Sequence, residues 1–225
     1  GNLQEIRRLL NLASVPVATV FCRDALIKTR TASQYTIGTN GDLRSGVGEY
    51  LGGTLGFDTL RATFERIGTA FDTSDIDPVL RELSQQEEET VRICDKFLRR
   101  FDPPAVVIFA GASYAEFVAQ ALEHYLDADI RFLGTRNPGS PSRYPGCPVT
   151  GMSEVKTIIG QNNPDLVLGS SFERSVSGNR AFFGITPPLR GMVRLAPVPL
   201  AGVNGTLFLL ERVLNACMDR SRTLP

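Results

Sequence analysis

Residues 164–174, PDLVLGSSFER, are the stretch that most limits what this chain can become. Leu166-Val167-Leu168 has the length and character of a buried strand, and it runs straight into the small, polar turn Gly169-Ser170-Ser171. Ser170 with Glu173 three residues later has capping-box spacing: hydroxyl and carboxylate each satisfy a backbone N–H, so a short helix opens here. A strand that turns directly into a helix is the repeating unit of α/β folds. In open α/β sheets ligands sit just past the strand carboxyl ends, where helix N-termini direct their free N–H groups. An ordinary β-to-α turn has the same local sequence, so its surroundings must say more.

Those surroundings repeat the pattern. Leu3, Ile6, Leu9 and Leu10 share one helical face, and the apolar run Val15 to Phe21 (VPVATVF) reads as a strand covered on both sides. Asp24–Thr31 reads as a short helix and Tyr35-Thr36-Ile37 as a strand ending at Gly38. Leu43, Val47 and Leu51 continue at helical spacing up to Gly52-Gly53, and 57–72 is mixed. Ile76 to Phe101 then reads as one long helix. Asp77-Pro78 suits its start, Val91, Cys94, Phe97 and Leu98 form its inward stripe, and Asp102-Pro103-Pro104 stops it.

Beyond it, AVVIFA (105–110) is a strand and Val118, Ala121, Leu122 and Tyr125 mark the next helix. DIRFL (129–133) is another strand. Residues 136–149 carry four Pro and two Gly, a composition that reads as a stiff surface loop. Val155, Ile158 and Ile159 belong to a helix before the Pro164 strand, and Ala181 to Ile185 is a further strand. Gly202 to Met218 closes the chain as a helix with Leu210, Val213, Leu214 and Cys217 inward. The expected fold class is therefore α/β: two Rossmann-like units with mostly parallel sheets, joined by a long helix. The divisions are 1–72, 73–103 for the linking helix, and 104–225.

Composition excludes more than it proposes. The 24 basic and 24 acidic residues balance, so no electrostatic footprint argues for nucleic acid or an anionic membrane surface. No run of about 18 apolar residues is present, which argues against a membrane span, and no signal-peptide pattern is visible, so a cytoplasmic setting is expected. The chain starts with Gly1 and enters a helical pattern at once, which reads as a trimmed N-terminus. Cys22, Cys94, Cys147 and Cys217 are isolated and His124 is the only histidine, which gives a self-contained zinc or iron–sulfur site little support.

There is no GxGxxG, no GxxxxGK[ST] and no GxSxG, so neither a nucleotide site nor hydrolytic catalysis is indicated, and no catalytic or metal-ligating residue is assigned. The small, polar strand ends remain: Cys22-Arg23, Thr39-Asn40, Gly111–Ser113 and Gly169–Ser171. These would converge on one cleft if the two sheets face each other, a geometry suited to a bulky ligand.

Taken in order, EIRRLLNLASVPVATVF, ASQYTIGTN through EYLGGTLGF, FAGASYAEFVAQAL, NNPDLVLGSSFER and AGVNGTLFLLERVLNA resemble the C-terminal two-thirds of nitrogenase component-1-type oxidoreductases. That family includes nitrogenase MoFe subunits, their assembly scaffolds, and light-independent protochlorophyllide and chlorin reductase subunits. The last segment is similar to the family's Gly-aromatic-x-Gly helix start, with Val203 in place of the aromatic and Asn215 matching a later Asn. Where a catalytic nitrogenase subunit has its cofactor Cys, this chain has Asn40, and near the cofactor His it has Met192.

That departure argues against a catalytic α-type subunit and leaves a β-type subunit, an assembly scaffold, or a tetrapyrrole-reducing or other nitrogenase-like subunit. The resemblance implies a fragment, inactive alone, that supplies part of a cavity for a metal cluster or tetrapyrrole and a subunit interface. It implies electrons from an ATP-dependent iron–sulfur reductase, an iron–sulfur cluster in the full-length complex but none bound by this fragment alone, and a homologous component-1 subunit as partner. Arg23, Asn40, Ser113, Ser170 and Ser171 would line the cavity, with Arg190 and Arg194 as further candidates; each also suits a capping, turn or interface role. The alternative is a non-enzymatic metal-chelate or small-ligand binding protein with two α/β lobes.

Overall fold

A computed structural model describes residues 1–21, 34–43, 46–72, 75–137, 142–149, 151–191, 193 and 195–223, and not the side chains of 220–223. The helix expected over 24–31 lies outside the described residues, as do Cys22, Arg23, Met192 and Arg194. The chain divides into two compact units: Gly1–Glu89 with Ala196–Phe208, and Thr90–Leu195 with Leu209–Pro225.

In the first unit, helix α1 (Asn2–Leu12) buries Ile6, Leu9 and Leu10 as their spacing requires. It ends in a Schellman-type closure: Ser14 takes a left-handed φ of 57° and the Val15 N–H reaches back to the Leu10 carbonyl at 2.8 Å. The run Val15–Phe21, expected as a strand, carries no strand; Val15 is buried but Pro16 and Val17 are exposed, and Pro16 has no N–H to give to a ladder.

Strand β1 (Tyr35–Gly38) pairs in parallel with β2 (Glu49–Gly53). The helix expected through Leu43, Val47 and Leu51 is also corrected. Leu51 is a buried strand residue, Leu43 and Val47 are exposed, and Gly46 and Gly48 both sit at φ +67°, a conformation no helix interior holds. The mixed segment 57–72 is mostly one helix, α2 (Phe57–Ala70), burying Phe57, Leu60, Phe64 and Ile67.

Helix α3 (Asp77–Leu98) matches the expected long helix, and the Asp75 carboxylate accepts the Asp77 N–H at 3.3 Å at its start. Its buried positions are Val79, Leu83, Thr90, Cys94 and Phe97. Val91, expected inward, is 41% exposed; Thr90 takes that place, because the stripe 83–90–94–97 is the one in register with the core.

The second unit holds a five-stranded parallel sheet: β3 (Ala105–Ala110), β4 (Asp129–Thr135), β5 (Gly146–Pro148), β6 (Leu166–Gly169) and β7 (Ala181–Gly184). The spatial order is β5-β4-β3-β6-β7, which by order of appearance is 3-2-1-4-5, that of doubly wound dinucleotide-type folds. Every residue of β3 is buried, as a central parallel strand covered on both faces must be.

Val107, Phe109 and Val167 form one packed cluster with Val155, Ile158 and Ile159 of helix α5 (Met152–Asn162). Helix α4 (Ala112–Leu126) packs on β3 and β4 and buries the expected Val118, Ala121, Leu122 and Tyr125. Gly134 on β4 makes room for Phe109, whose ring carbon would lie 2.3 Å from any added Cβ. The loop expected over 136–149 ends in β5; its Pro148 is tolerated because β5 is an edge strand. Two more helices follow, α6 (Ser171–Val176) and α7 (Gly202–Thr223).

Candidate functional site

The 3-2-1-4-5 order puts a topological switch point between β3 and β6, where the connections leave in opposite directions and a crevice opens at the strand carboxyl ends. The turns that flank it are Gly111-Ala112-Ser113 after β3 and Gly169-Ser170-Ser171 after β6. Three of the five candidate residues, Ser113, Ser170 and Ser171, thus share one edge of one sheet. Asn40 belongs to the first unit, just past β1, where its Oδ1 accepts the Asp42 N–H at 2.9 Å and its carbonyl accepts the Leu43 N–H at 3.3 Å: an Asx turn.

The capping box expected at Ser170 is present. The Ser170 N–H donates to Glu173 Oε2 at 2.7 Å, its hydroxyl donates to the same oxygen at 2.6 Å, and that hydroxyl accepts the Phe172 N–H at 3.2 Å. Ser170 is 4% exposed and Glu173 fully buried. The second Glu173 oxygen accepts from Arg136 at the end of β4, which also donates to the Val149 carbonyl at 2.7 Å. One buried carboxylate therefore ties β4, the β6 turn and α6 together.

Ser171 is bound from the other side. Its N–H donates to the Pro188 carbonyl at 2.8 Å, and its hydroxyl accepts the Arg190 N–H. The Arg190 guanidinium lies 5.9 Å over the Phe172 ring. At the start of α4 the Ala112 N–H donates to Asn137 Oδ1 at 3.0 Å. Oxygens of the chain itself thus cap the helix starts on both sides of the switch point. The edge is shaped and polar rather than an open anion trap. Arg136, Asn137 and Glu173 complete the site, and sequence reasoning names only Glu173, through its capping spacing.

Three of the four cysteines are among the described residues, and they lie apart. Cys94 is buried in α3, and burial, with a smaller contribution from Asp95, pushes its thiol up to about 11. Cys147 is exposed on β5 and Cys217 half-buried on α7. Among the described residues no group of three or more His, Cys, Asp and Glu is placed to hold a metal ion. His124 lies exposed on α4 against the Tyr125 ring. Also among the described residues, no helix is long and apolar enough to cross a membrane.

The start of α7 explains the glycines of the GVNG segment. Glu5 of α1 is 5% exposed, and its carboxylate accepts the Asn204 N–H at 3.2 Å, the Asn204 side-chain amide at 2.7 Å and the Arg8 guanidinium at 2.9 Å. Gly202 holds φ +77° directly beside it, and Gly205 lies against the Leu200 backbone.

Burial pushes the Glu5 carboxyl up, but the bonds from Arg8 and Asn204 together outweigh it and hold the group below its ordinary value of 4.5. A carboxyl depressed on folding contributes stability that is present above its unfolded value and lost as pH falls through the folded one. Urea midpoints are therefore expected to hold steady above about pH 4.5 and to fall below it, with Glu5→Gln flattening that acid limb. An unchanged limb in Glu5→Gln overturns the assignment.

No family model matches this chain, and no curated protein matches it. Solved structures do. The whole chain superposes on nitrogenase Cp1 at pH 6.5 with a TM-score of 0.78 and 12% identity, and on nitrogenase Cp1 at pH 5 with a TM-score of 0.70 and 12% identity. The fold is that of nitrogenase component-1 Rossmann-like domains. The chain spans 58% and 56% of the length of those two chains.

Proposed function

We propose that this chain is the Rossmann-like part of a nitrogenase-like reductase subunit, supplying part of the wall of a cavity for a metal cluster or tetrapyrrole, together with a subunit interface. The observation that supports this best is the switch point between β3 and β6 in a chain whose entire length follows a nitrogenase structure. Ser113 and Ser171 flank that point as small polar residues on the cavity wall, the Ser171 hydroxyl being held by the Arg190 N–H and donating to the Arg190 carbonyl at 3.3 Å. Ser170 acts one step back: its hydroxyl is committed to Glu173 and to the Phe172 N–H, so it shapes the turn.

The cysteines described here do not fit a cluster, so in this reading the iron–sulfur centre belongs to other parts of the complex, and no redox step is routed through these residues. Partners would be a homologous component-1 subunit and an ATP-dependent iron–sulfur reductase. The competing reading, a non-enzymatic metal-chelate or small-ligand binding protein with two α/β lobes, draws on the 22-residue helix α3, which both units share.

Anaerobic purification of the full-length protein with the products of neighbouring genes, followed by iron and pigment analysis, separates the two. A coloured, iron-containing assembly of at least two subunits is expected. A colourless, iron-free preparation removes the reductase reading.

A further inference from the structure

Several arginines of this chain are neutralised by carboxylates: Arg8 by Glu5 and Glu82, Arg61 by Asp58 and Glu87, Arg136 by Glu173, Arg143 by Glu123. A groove of about 540 Å³ in the second unit is different. Arg174 at the end of α6 and Arg180 in the turn before β7 line it with no carboxylate partner among the described residues, and Arg212 of α7 and Asp219 line it as well.

The Arg174 guanidinium lies 5.9 Å over the Phe182 ring, and among the described residues no carboxylate pairs with it. Arg180 donates only to neutral oxygens, the Ser177 carbonyl at 3.2 Å and Asn163 Oδ1 at 3.1 Å, while its Nε is buried without a hydrogen-bond partner. Among the described residues no carboxylate compensates its charge. Gly178, at φ +64°, makes the tight turn that brings Arg180 back toward β7.

We propose that this groove binds a small oxyanion carrying two or more negative charges, a phosphate or polycarboxylate group. Arg174 supplies a planar guanidinium fork that suits bidentate contact with such oxygens, Arg180 supplies a fixed positive field, and Arg212 adds a third positive charge to the lining. Phe182 and Phe183 offer apolar surface to the rest of the ligand. The volume falls within the roughly 300–1,000 Å³ usual for small-molecule sites. The groove runs along the outer edge strand β7 and the turn before it. It is therefore separate from the switch point and does not depend on the reductase reading.

Titration calorimetry on the full chain with pyrophosphate and with citrate, each against sodium chloride at matched ionic strength, tests this. At least one of the two is expected to bind with a dissociation constant below about 1 mM. Binding of pyrophosphate alone identifies a phosphate-bearing ligand, and binding of citrate alone a polycarboxylate. Arg174→Ala and Arg212→Ala are each expected to weaken binding about tenfold or more, while Arg61→Ala, outside the groove, leaves it unchanged. The proposal fails if neither anion binds beyond the chloride control, or if Arg174→Ala and Arg212→Ala both bind as well as the parent.

Discussion

Glu173→Ala is expected to cost the protein about 3–5 kcal/mol of stability, the range for breaking a buried ion pair by removing one partner. Glu173 is fully buried and serves three donors: the Ser170 N–H at 2.7 Å, the Ser170 hydroxyl at 2.6 Å and Arg136. Truncation leaves the Ser170 donors in a site with 4% exposure and no replacement acceptor, and each such orphan costs about 1–3 kcal/mol. Arg136 softens the loss, since its side chain is one-third exposed and can turn to water. Glu173→Gln keeps an acceptor oxygen and the shape of the box, so it should fall between the parent and the alanine variant. Urea unfolding followed by circular dichroism measures both. A loss below about 1 kcal/mol for Glu173→Ala would show that the turn is held by the backbone alone.

Gly202→Ala is expected to destabilise by about 2–5 kcal/mol, from two separable causes. At φ +77° a Cβ is strained by about 1–2 kcal/mol. The same Cβ would lie 2.5 Å from Glu5 Cγ, an overpacking worth about 1–3 kcal/mol more, and it would push the carboxylate off Asn204. A double-mutant cycle separates them. In the Glu5→Ala background the steric part should vanish and only the dihedral cost remain. Equal losses in both backgrounds would mean that Glu5 yields freely and does not hold the start of α7.

Much of the second unit is legible in the sequence. Ala105–Ala110 and Leu166–Gly169 are short apolar runs bounded by turns, and the Ser170–Glu173 spacing is a local signal with a local cause. The first unit is read less well. Val15–Phe21 and the 43–51 spacing mislead, because Pro16, Gly46 and Gly48 override the apolar pattern through the backbone. Within the candidate site, Ser113, Ser170 and Ser171 are visible as small residues after strands. Arg136 and Asn137 are not, because nothing in an RNPG stretch announces which turn it will cap.

The sequence by itself determines the α/β class, the long α3 helix and the capped turn at Ser170. Each follows from interactions between residues a few positions apart, where periodicity and capping leave a readable trace. The tertiary structure alone decides the 3-2-1-4-5 strand order and with it the place of the crevice. It also decides the Arg136–Glu173 pair and the return of Ala196–Phe208 to the first unit, where Asn2 and Glu5 bind Leu200 and Asn204. Those partners lie 37 and about 200 positions apart in the chain. A carboxylate buried at such a distance takes whichever donors the closed fold brings to it, and no local pattern records that choice.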